Sequence, residues 1–361
     1  MKILHIITGL KKAGAEKNLF NLATKDKKNT HIIISLTGLN FYGNALKKKK
    51  IKIYALRLKQ NLSDFKRIYS LYKIIRSNKP DIIQTWMYYA DIIGGVISKL
   101  AGIKKIFWNL RSDGLDLQRE HIKIIPFYLT YTFLSIIIPK KIIANSRRGI
   151  LKHQFVFNKK KFYQINNGFE IPNESKINIK KKNNFIIGHF GRFHPLKNHE
   201  MIINIAKKLN EKKNNIFFIL GGLNVDKNNK FFKEKLKNEN LKNKILLVGE
   251  IKKMNDYYKK VDCVVSTSLA EGFPNILAEA MSNGTICLST NVGETNKIVE
   301  NSSRIFKNET DLVKKILKLK KIKDNDYKNW FEIKKKCRDH IKKNFTIKKM
   351  INEYNKVWCS K

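Results

Sequence analysis

The sequence predicts an α/β protein made of two doubly wound domains, each a parallel sheet with helices on both faces. Short apolar runs alternate with longer mixed segments along the whole chain. The runs are continuous and rich in Ile and Val, which is typical of parallel strands covered on both faces. With 361 residues, 42% of them hydrophobic, the chain is long and apolar enough to form two cores.

The first domain is predicted over residues 1–166. Strands are expected at residues 2–7, 30–36, 51–56, 82–85, 105–109, 141–144 and 163–165, where short Ile-rich runs occur. Helices are expected at residues 15–23, 65–77 and 91–100, where apolar residues such as Leu19 and Leu22 recur at helical spacing. The apolar stretch at residues 122–138 contains Pro126 and is shorter than the roughly 20 residues of a membrane-spanning helix. We therefore expect a buried or interfacial helix there.

A polar, proline-bearing segment at residues 167–184 predicts a linker, and a second domain follows over residues 185–340. Its strands are expected at residues 185–190, 216–220, 244–248, 263–267 and 285–289. Its helices are expected at residues 199–209, 230–239, 255–260 and 275–281. From residue 311 onward the chain reads as helical throughout, and residues 341–361 are predicted to pack back on the first domain. Two such domains would bind a ligand at the carboxyl ends of their strands, in the cleft between them.

The charge indicates an anionic partner, since 74 Lys and Arg against 29 Asp and Glu give a formal net charge of +45. Only ten of the 74 cations are Arg, and Lys is spread over every segment. Nucleic-acid recognition favours clustered Arg with interleaved aromatic residues, which this sequence lacks. Anionic lipid head groups or a nucleotide diphosphate explain the charge equally well. A basic nucleic-acid or carbohydrate-binding protein without catalysis stays open as the alternative.

Cysteine usage and the first residues predict a cytoplasmic protein. The four cysteines have irregular spacing and no histidine partners, which indicates free thiols in a reducing compartment and no zinc site. The apolar run at residues 3–7 is too short for a signal peptide.

The most informative segment is Glu271-Gly-Phe-Pro-Asn-Ile-Leu-Ala-Glu279. It follows a predicted strand, Gly272 permits a tight turn, and Pro274 stands where a helix begins. Free backbone N–H groups at the helix N-terminus favour phosphate. Carboxylates accept hydrogen bonds only, so Glu271 and Glu279 suit sugar hydroxyls, although solvated acids near a helix N-terminus would give the same pattern.

This segment resembles the signature of retaining glycosyltransferase family 4, whose members have the GT-B fold of two Rossmann-like domains facing a cleft. Four further segments carry the resemblance. Residues 6–16 are similar to the family's Gly-Gly-Ala-Glu loop, with Ala13 where a Gly is common. Gly191-Arg192 followed by Lys197 matches a second family element. Residues 84–91 and 108–112 resemble a subgroup that builds bacterial O-antigen and related surface oligosaccharides.

The motif and the resemblance together imply a donor site for a nucleotide-sugar. Arg192, Lys197 and Glu271 would act in catalysis, the two cations on the diphosphate and Glu271 on the transferred sugar. Glu279 would bind ribose, and Phe273 is expected to pack within the loop. The full donor set is Gly14, Gly191, Arg192, Lys197, Gly249, Glu250, Glu271, Gly272, Phe273, Pro274, Asn275, Ile276, Leu277 and Glu279.

The acceptor side is predicted from aromatic and charged residues after two strands of the first domain. Its candidates are Trp86, Tyr88, Tyr89, Asp91, Arg111 and Asp113. The aromatic residues would stack on sugar rings or simply pack in the core. Arg111 stands near where many family members have a histidine and would act as an electrophilic or phosphate-binding group. Asp113 would accept a proton or cap a helix.

The resemblance implies a hexosyl- or N-acetylhexosaminyl-transferase that works with retention, without a dedicated protein nucleophile. The expected donor is UDP-linked, and the expected acceptor is a lipid-linked oligosaccharide of O-antigen, capsule, lipooligosaccharide or glycoprotein glycan synthesis. No D-x-D triad stands where a metal-dependent transferase would need one, so neither a metal nor another cofactor is expected. The expected location is the inner face of the cytoplasmic membrane, with no nucleic-acid partner.

Overall fold

The chain divides into two units in the computed structural model. Unit 1 comprises Met1–Gly168 with Ile347–Lys361, and unit 2 comprises Phe169–Thr346. The structure describes residues 1–58, 64–111, 125–154, 161–173, 184–212 and 214–360. Most of the predicted linker, residues 174–183, lies outside the described residues.

The elements alternate between strand and helix in both units. The strands are β1 (Lys2–Ile7), β2 (Thr30–Ser35), β3 (Lys52–Ala55), β4 (Ile82–Trp86), β5 (Ile106–Leu110), β6 (Lys141–Ala144), β7 (Phe162–Gln164), β8 (Phe185–Phe190), β9 (Ile216–Gly221), β10 (Ile245–Leu247), β11 (Cys263–Ser266) and β12 (Ile286–Ser289). The helices are α1 (Gly14–Lys25), α2 (Asn40–Lys48), α3 (Phe65–Asn78), α4 (Tyr88–Leu100), α5 (Ile125–Ile137), α6 (Arg147–Gln154), α7 (His199–Glu211), α8 (Lys230–Asn238), α9 (Met254–Tyr258), α10 (Asn275–Ser282), α11 (Thr295–Val299), α12 (Glu309–Asn325), α13 (Tyr327–Asn344) and α14 (Ile347–Cys359).

Unit 1 contains a seven-stranded parallel sheet in the order β3-β2-β1-β4-β5-β6-β7. Successive residues of β1 face opposite sides, so Leu4 and Ile6 enter one core while Ile3 and Ile7 enter the other. Helix α14 belongs to the second of these cores, where Tyr354 is fully buried. The strand order reverses between β1 and β4, and ligands of doubly wound sheets bind at the carboxyl ends of such neighbours.

Unit 2 contains a five-stranded parallel sheet in the order β10-β9-β8-β11-β12. Its helices pack in one buried cluster with the strands. Here the strand order reverses between β8 and β11, which makes the carboxyl ends of these two strands the expected ligand position.

Three predictions about elements need correction. Helix α4 begins at Tyr88, three residues before the predicted start, which puts both tyrosines on its first turn. Helices α2, α6 and α11 were not predicted. The tail is not helical throughout, because Asp326 caps α13 by accepting from the Asn329 N–H, and the chain breaks again before α14.

No helix in the described part of the chain combines the length and the apolar character needed to cross a bilayer. The apolar stretch predicted at residues 122–138 contains α5, and its first three residues lie outside the described ranges.

Candidate functional site

The loops that follow β8 and β11 are joined at the carboxyl edge of the unit 2 sheet. The Leu269 N–H donates to the carbonyl of Leu196 at 2.9 Å. The Thr267 hydroxyl lies 2.9 Å from the carbonyl oxygens of both Lys197 and Asn198. It donates a hydrogen bond that these two oxygens share. These bonds hold the two loops in one fixed arrangement at the position where the strand order reverses.

Lys197 and Glu271 meet across this junction. The Lys197 ammonium donates to Oε1 of Glu271, and the Ser268 hydroxyl donates to the same oxygen at 2.9 Å. Both side chains of the ion pair are about a quarter exposed or less. The structure therefore brings together two of the three residues predicted for catalysis. The second carboxylate oxygen of Glu271, Oε2, takes no part in these two hydrogen bonds.

Arg192 is exposed in the same loop and makes no hydrogen bond or ion pair with any residue that the structure describes. The preceding Gly191 lies against the neighbouring β9 loop. A Cβ on Gly222, whose φ is +152°, would lie 2.1 Å from the Gly191 carbonyl oxygen, so only glycine fits there. The backbones of these two loops therefore pack directly against each other beside Arg192.

The loop after β12 completes this edge and was not predicted from the sequence. The Thr290 hydroxyl donates to the Ser268 carbonyl at 2.6 Å, and the Glu294 N–H donates to the Gly272 carbonyl at 3.2 Å. Gly293 has a φ of +52°, and a Cβ there would lie 2.2 Å from the Glu271 carbonyl oxygen. A glycine shortly after a predicted strand is the only sequence signal for this contact.

The segment after Glu271 enters helix α10, but its apolar side chains point away from the edge. Phe273 is buried and stacks on Phe169 at 6.0 Å and packs edge-on against Phe345, and Leu277 is fully buried. Phe273 thus packs within unit 2, as expected, and the Leu277 side chain lies in the core. The Leu277 N–H also donates to the Pro274 carbonyl at 3.1 Å, which removes it from the predicted free donors.

Three further predicted donor residues lie outside the loops that follow β8 and β11. Glu279 accepts from the Tyr258 hydroxyl at 3.1 Å, and burial together with this carboxylate raises the pKa of Tyr258 far above its usual range. Gly249 has a φ of +65° and accepts from the Gly222 N–H at 2.8 Å, so it joins the β10 loop to the β9 loop. Glu250 beside it is exposed.

Two buried histidines lie under the β8 loop. The His189 Nδ1–H donates to the Val265 carbonyl at 3.0 Å, and the His189 and His199 rings pack edge to face at 4.8 Å. Burial lowers the pKa of His189 to about 3 and that of His199 to about 4. Both rings are therefore neutral at physiological pH, and the positive charge of this site comes from Arg192 and Lys197.

In unit 1, two predicted acceptor residues are buried and cannot contact an acceptor. Trp86 is fully buried, and its indole N–H donates to His5 at 3.2 Å. Asp91 is fully buried and accepts from the hydroxyls of Thr85 at 2.5 Å and Tyr131 at 2.9 Å. Burial raises the pKa of Asp91 to about 7. Both side chains belong to the core, because these hydrogen bonds satisfy them inside it.

The remaining unit 1 candidates are half-buried near the ends of the strands. Tyr88 and Tyr89 form the first turn of α4, and the Tyr88 hydroxyl lies 2.7 Å from Nε2 of His153. Arg111, directly after β5, lies 4.8 Å over the Trp86 ring and donates to Asn167 and to the Tyr354 hydroxyl.

The last two unit 1 candidates are Gly14 and Asp113. Gly14 is the first residue of α1 and accepts from the Asn18 amide at 2.8 Å. Asp113 lies outside the described residues.

Among the described residues, no group of three or more His, Cys, Asp or Glu side chains is arranged to hold a metal ion.

Comparisons with known proteins identify what the chain is similar to. Residues 170–337 match the family described as glycosyl transferases group 1. The chain is 26% identical over 317 residues to the Escherichia coli UDP-Gal:alpha-D-GlcNAc-diphosphoundecaprenol alpha-1,3-galactosyltransferase, covering 82% of this chain and 80% of that protein. It is 24% identical over 352 residues to the capsular polysaccharide biosynthesis glycosyltransferase CapM of Staphylococcus aureus, covering 88% and 87%.

A solved structure extends the likeness over the whole chain. HepE of Anabaena in complex with UDP matches with a TM-score of 0.84 over 99% of both chains, at 19% identity. The complex of the same protein with UDP-glucose gives 0.82 over 99% of both chains, also at 19% identity. At this identity the likeness establishes the fold.

Proposed function

Because this chain is a glycosyltransferase with a group 1 domain and the GT-B fold, we propose that it moves one sugar, with retention, from a UDP-linked donor to a lipid-linked saccharide. The donor part of the proposal is supported by the UDP and UDP-glucose complexes of HepE. The acceptor part is supported by the E. coli relative, whose name specifies a diphosphoundecaprenol-linked GlcNAc. A hexose or an N-acetylhexosamine is the proposed transferred group.

The observation that carries the proposal is the Lys197–Glu271 pair at the strand reversal of unit 2, inside the matched residues 170–337. In the proposed complex, Lys197 and Arg192 contact the diphosphate, where negative charge grows as the glycosidic bond breaks. Glu271 accepts from hydroxyls of the transferred sugar. Ser268 holds the Glu271 carboxylate in place by its hydrogen bond of 2.9 Å.

Retention follows, in this proposal, from attack on the face that the diphosphate leaves. The acceptor hydroxyl forms its bond to the anomeric carbon on the same face as the bond from that carbon to the diphosphate breaks, and its proton passes to the departing diphosphate oxygen. No protein nucleophile is needed. Arg192 and Lys197 stabilise the departing group, and Arg192 is suited to it because a guanidinium grips two oxygens at once. We further propose that transfer needs no metal ion, so that activity persists in the presence of EDTA.

On the acceptor side we propose that Arg111 binds an anionic group of the acceptor, with Tyr88 and Tyr89 beside it. The described hydrogen-bond partners of the Arg111 guanidinium, Asn167 and Tyr354, are neutral. A half-buried guanidinium is stabilised by an anion. A lipid-linked diphosphate, as in the name of the E. coli relative, supplies one. The proposed pathway is bacterial surface glycan synthesis at the inner face of the cytoplasmic membrane.

Titration calorimetry with a panel of nucleotide-sugars tests the proposal, since a positive result identifies nucleotide and sugar together. We expect a UDP-sugar to bind the full chain and UDP alone to bind more weakly. NMR of the product then gives the anomeric configuration, which we expect to equal that of the donor. Binding of no nucleotide-sugar, or an inverted product, would contradict the proposal.

A further inference from the structure

Helix α5 of unit 1 exposes an apolar face. Leu129, Phe133, Ile136 and Ile137 are between 50% and 63% exposed. Their spacing puts them on one side of the helix, opposite the buried Tyr131. We call these four residues the α5 face. A helix that is apolar all round belongs in a core or against another apolar phase, and a contiguous exposed apolar patch marks an interaction site.

The α5 face is fixed in place by polar contacts behind it. The Tyr131 hydroxyl donates to the buried carboxylate of Asp91 at 2.9 Å. At the C-terminal end of the helix, the Lys161 ammonium donates to the carbonyls of Ser135 and Ile136. These contacts hold the inner side of α5 on unit 1 and leave its outer side available.

Cations are exposed on the helix that follows α5 along the chain. The neighbouring helix α6 exposes Arg147, Arg148 and Lys152 together with Leu151. Tyr88 links the two helices, because its ring lies 4.9 Å from that of Tyr131 and its hydroxyl contacts His153 of α6.

One further cation lies at the C-terminal end of α5, where the Lys161 ammonium donates to the carbonyl of Ile136. An exposed apolar helix face with cations on neighbouring elements is typical of a surface that binds an anionic bilayer.

We propose that the α5 face, with the cations of α6, is the surface by which unit 1 docks on an anionic lipid bilayer. The inference rests on the proposed function, in that a lipid-linked acceptor lies in such a bilayer. With 13 residues the helix is about 20 Å long, which is too short to cross a hydrocarbon core of about 30 Å, so it lies in the plane of the interface. A second copy of the chain is a poor occupant, since each copy has a net charge of +45 and would repel the other.

Flotation of the full chain with vesicles of phosphatidylglycerol and phosphatidylethanolamine tests the docking surface. We expect Leu129→Ser/Phe133→Ser to lower the bound fraction at least ~tenfold, because two apolar side chains no longer leave water. The matched control is Phe65→Ser/Leu246→Ser, which changes the same residue types at exposures of 76% and 53% away from α5. The control should float as the unchanged chain does, and neither should float with phosphatidylcholine vesicles alone.

A reporter that keeps the face apolar gives an independent test. The four native tryptophans are all buried, so Phe133→Trp introduces an exposed indole whose emission stands out from theirs. We expect its emission to shift to shorter wavelength and to be quenched by brominated lipid when anionic vesicles are added. No shift, or equal flotation of both double variants, would overturn the docking surface.

Two outcomes separate this inference from the proposed function. If the Leu129→Ser/Phe133→Ser variant still transfers sugar to a short water-soluble acceptor and fails to float, both the docking surface and the function are supported. If the unchanged chain transfers sugar but does not float, the docking surface is wrong and the function stands. If light scattering shows a dimer of the unchanged chain and none of the Leu129→Ser/Phe133→Ser variant, the α5 face binds a second copy of the chain instead of a bilayer.

Discussion

Two cations in the same loop of unit 2 are held in different ways. Lys197 is paired with Glu271 across the strand reversal, whereas Arg192 is exposed and makes no bond within the described ranges. The ion pair orients the Lys197 ammonium before a ligand binds. The Arg192 guanidinium can bind two oxygens of the same ligand. Their different environments suit one cation to positioning and the other to capture of a diphosphate.

The paired lysine gives a direct prediction. Lys197→Met should lower kcat/KM for the donor by ~10²-fold, because the variant loses a charge placed where negative charge develops. Lys208→Met is the matched control, since Lys208 pairs with Glu309 on the outside of the same unit. It should change kcat/KM by less than about twofold. Steady-state kinetics of both variants measure this. Equal losses of kcat/KM in the two variants would show that Lys197 is not part of the donor site.

Asp91 gives a prediction about pH and stability. Burial raises its pKa to about 7, above the value of about 3.9 in an unfolded chain. Between these two values the folded protein keeps a proton that the unfolded chain has released. The contribution of Asp91 to the free energy of unfolding therefore falls as pH rises from about 4 to about 7.

The variant Asp91→Asn cannot ionise and should escape that loss. We expect the difference in melting temperature, variant minus unchanged chain, to grow by at least ~3 °C between pH 5 and pH 8. The exposed Asp324→Asn should give no such trend. A pH-independent difference for Asp91→Asn would show that its carboxyl is ionised throughout.

At the level of elements, the apolar runs determine what could be predicted. Strand β8 has the predicted bounds, because an apolar run ends at Gly191. Helix α6 was missed because only Ile150 and a few neighbours face the core in an otherwise basic segment. The start of α4 was misjudged since Met87 adopts a φ of +71°, a conformation that its residue type does not indicate.

The contact of the β12 loop with Glu271 could not be predicted either, because it joins residues of separate elements. Gly293→Ala tests it. The new Cβ would displace the Glu271 carbonyl, so we expect an activity loss of ~10²-fold from the shifted carboxylate.

Gly284→Ala controls for the backbone strain, since Gly284 has a φ of +76° and its nearest atom would be 3.6 Å away. The control should lose about 1 kcal/mol of stability and no activity. Equal activity of the two variants would mean that the β12 loop does not position Glu271.

For the whole molecule, the two doubly wound units and the GT-B fold were predictable and are confirmed. The site was predictable where a motif follows a strand, as at Lys197 and Glu271, although their roles stay predictions. It was not predictable at Trp86 and Asp91, because burial depends on how strands from distant parts of the chain pair. The net charge of +45 is carried over the whole sequence, so it agrees with an anionic membrane without identifying a site.

Transfer of labelled sugar from a UDP-sugar to a diphosphate-linked lipid saccharide, by the unchanged chain and by Glu271→Ala, tests the central claim most directly. We predict transfer by the unchanged chain and a loss of at least ~10²-fold in the variant, with circular dichroism confirming that the variant is folded. Transfer by Glu271→Ala at the unchanged rate would contradict the assignment of the donor site to the strand reversal of unit 2.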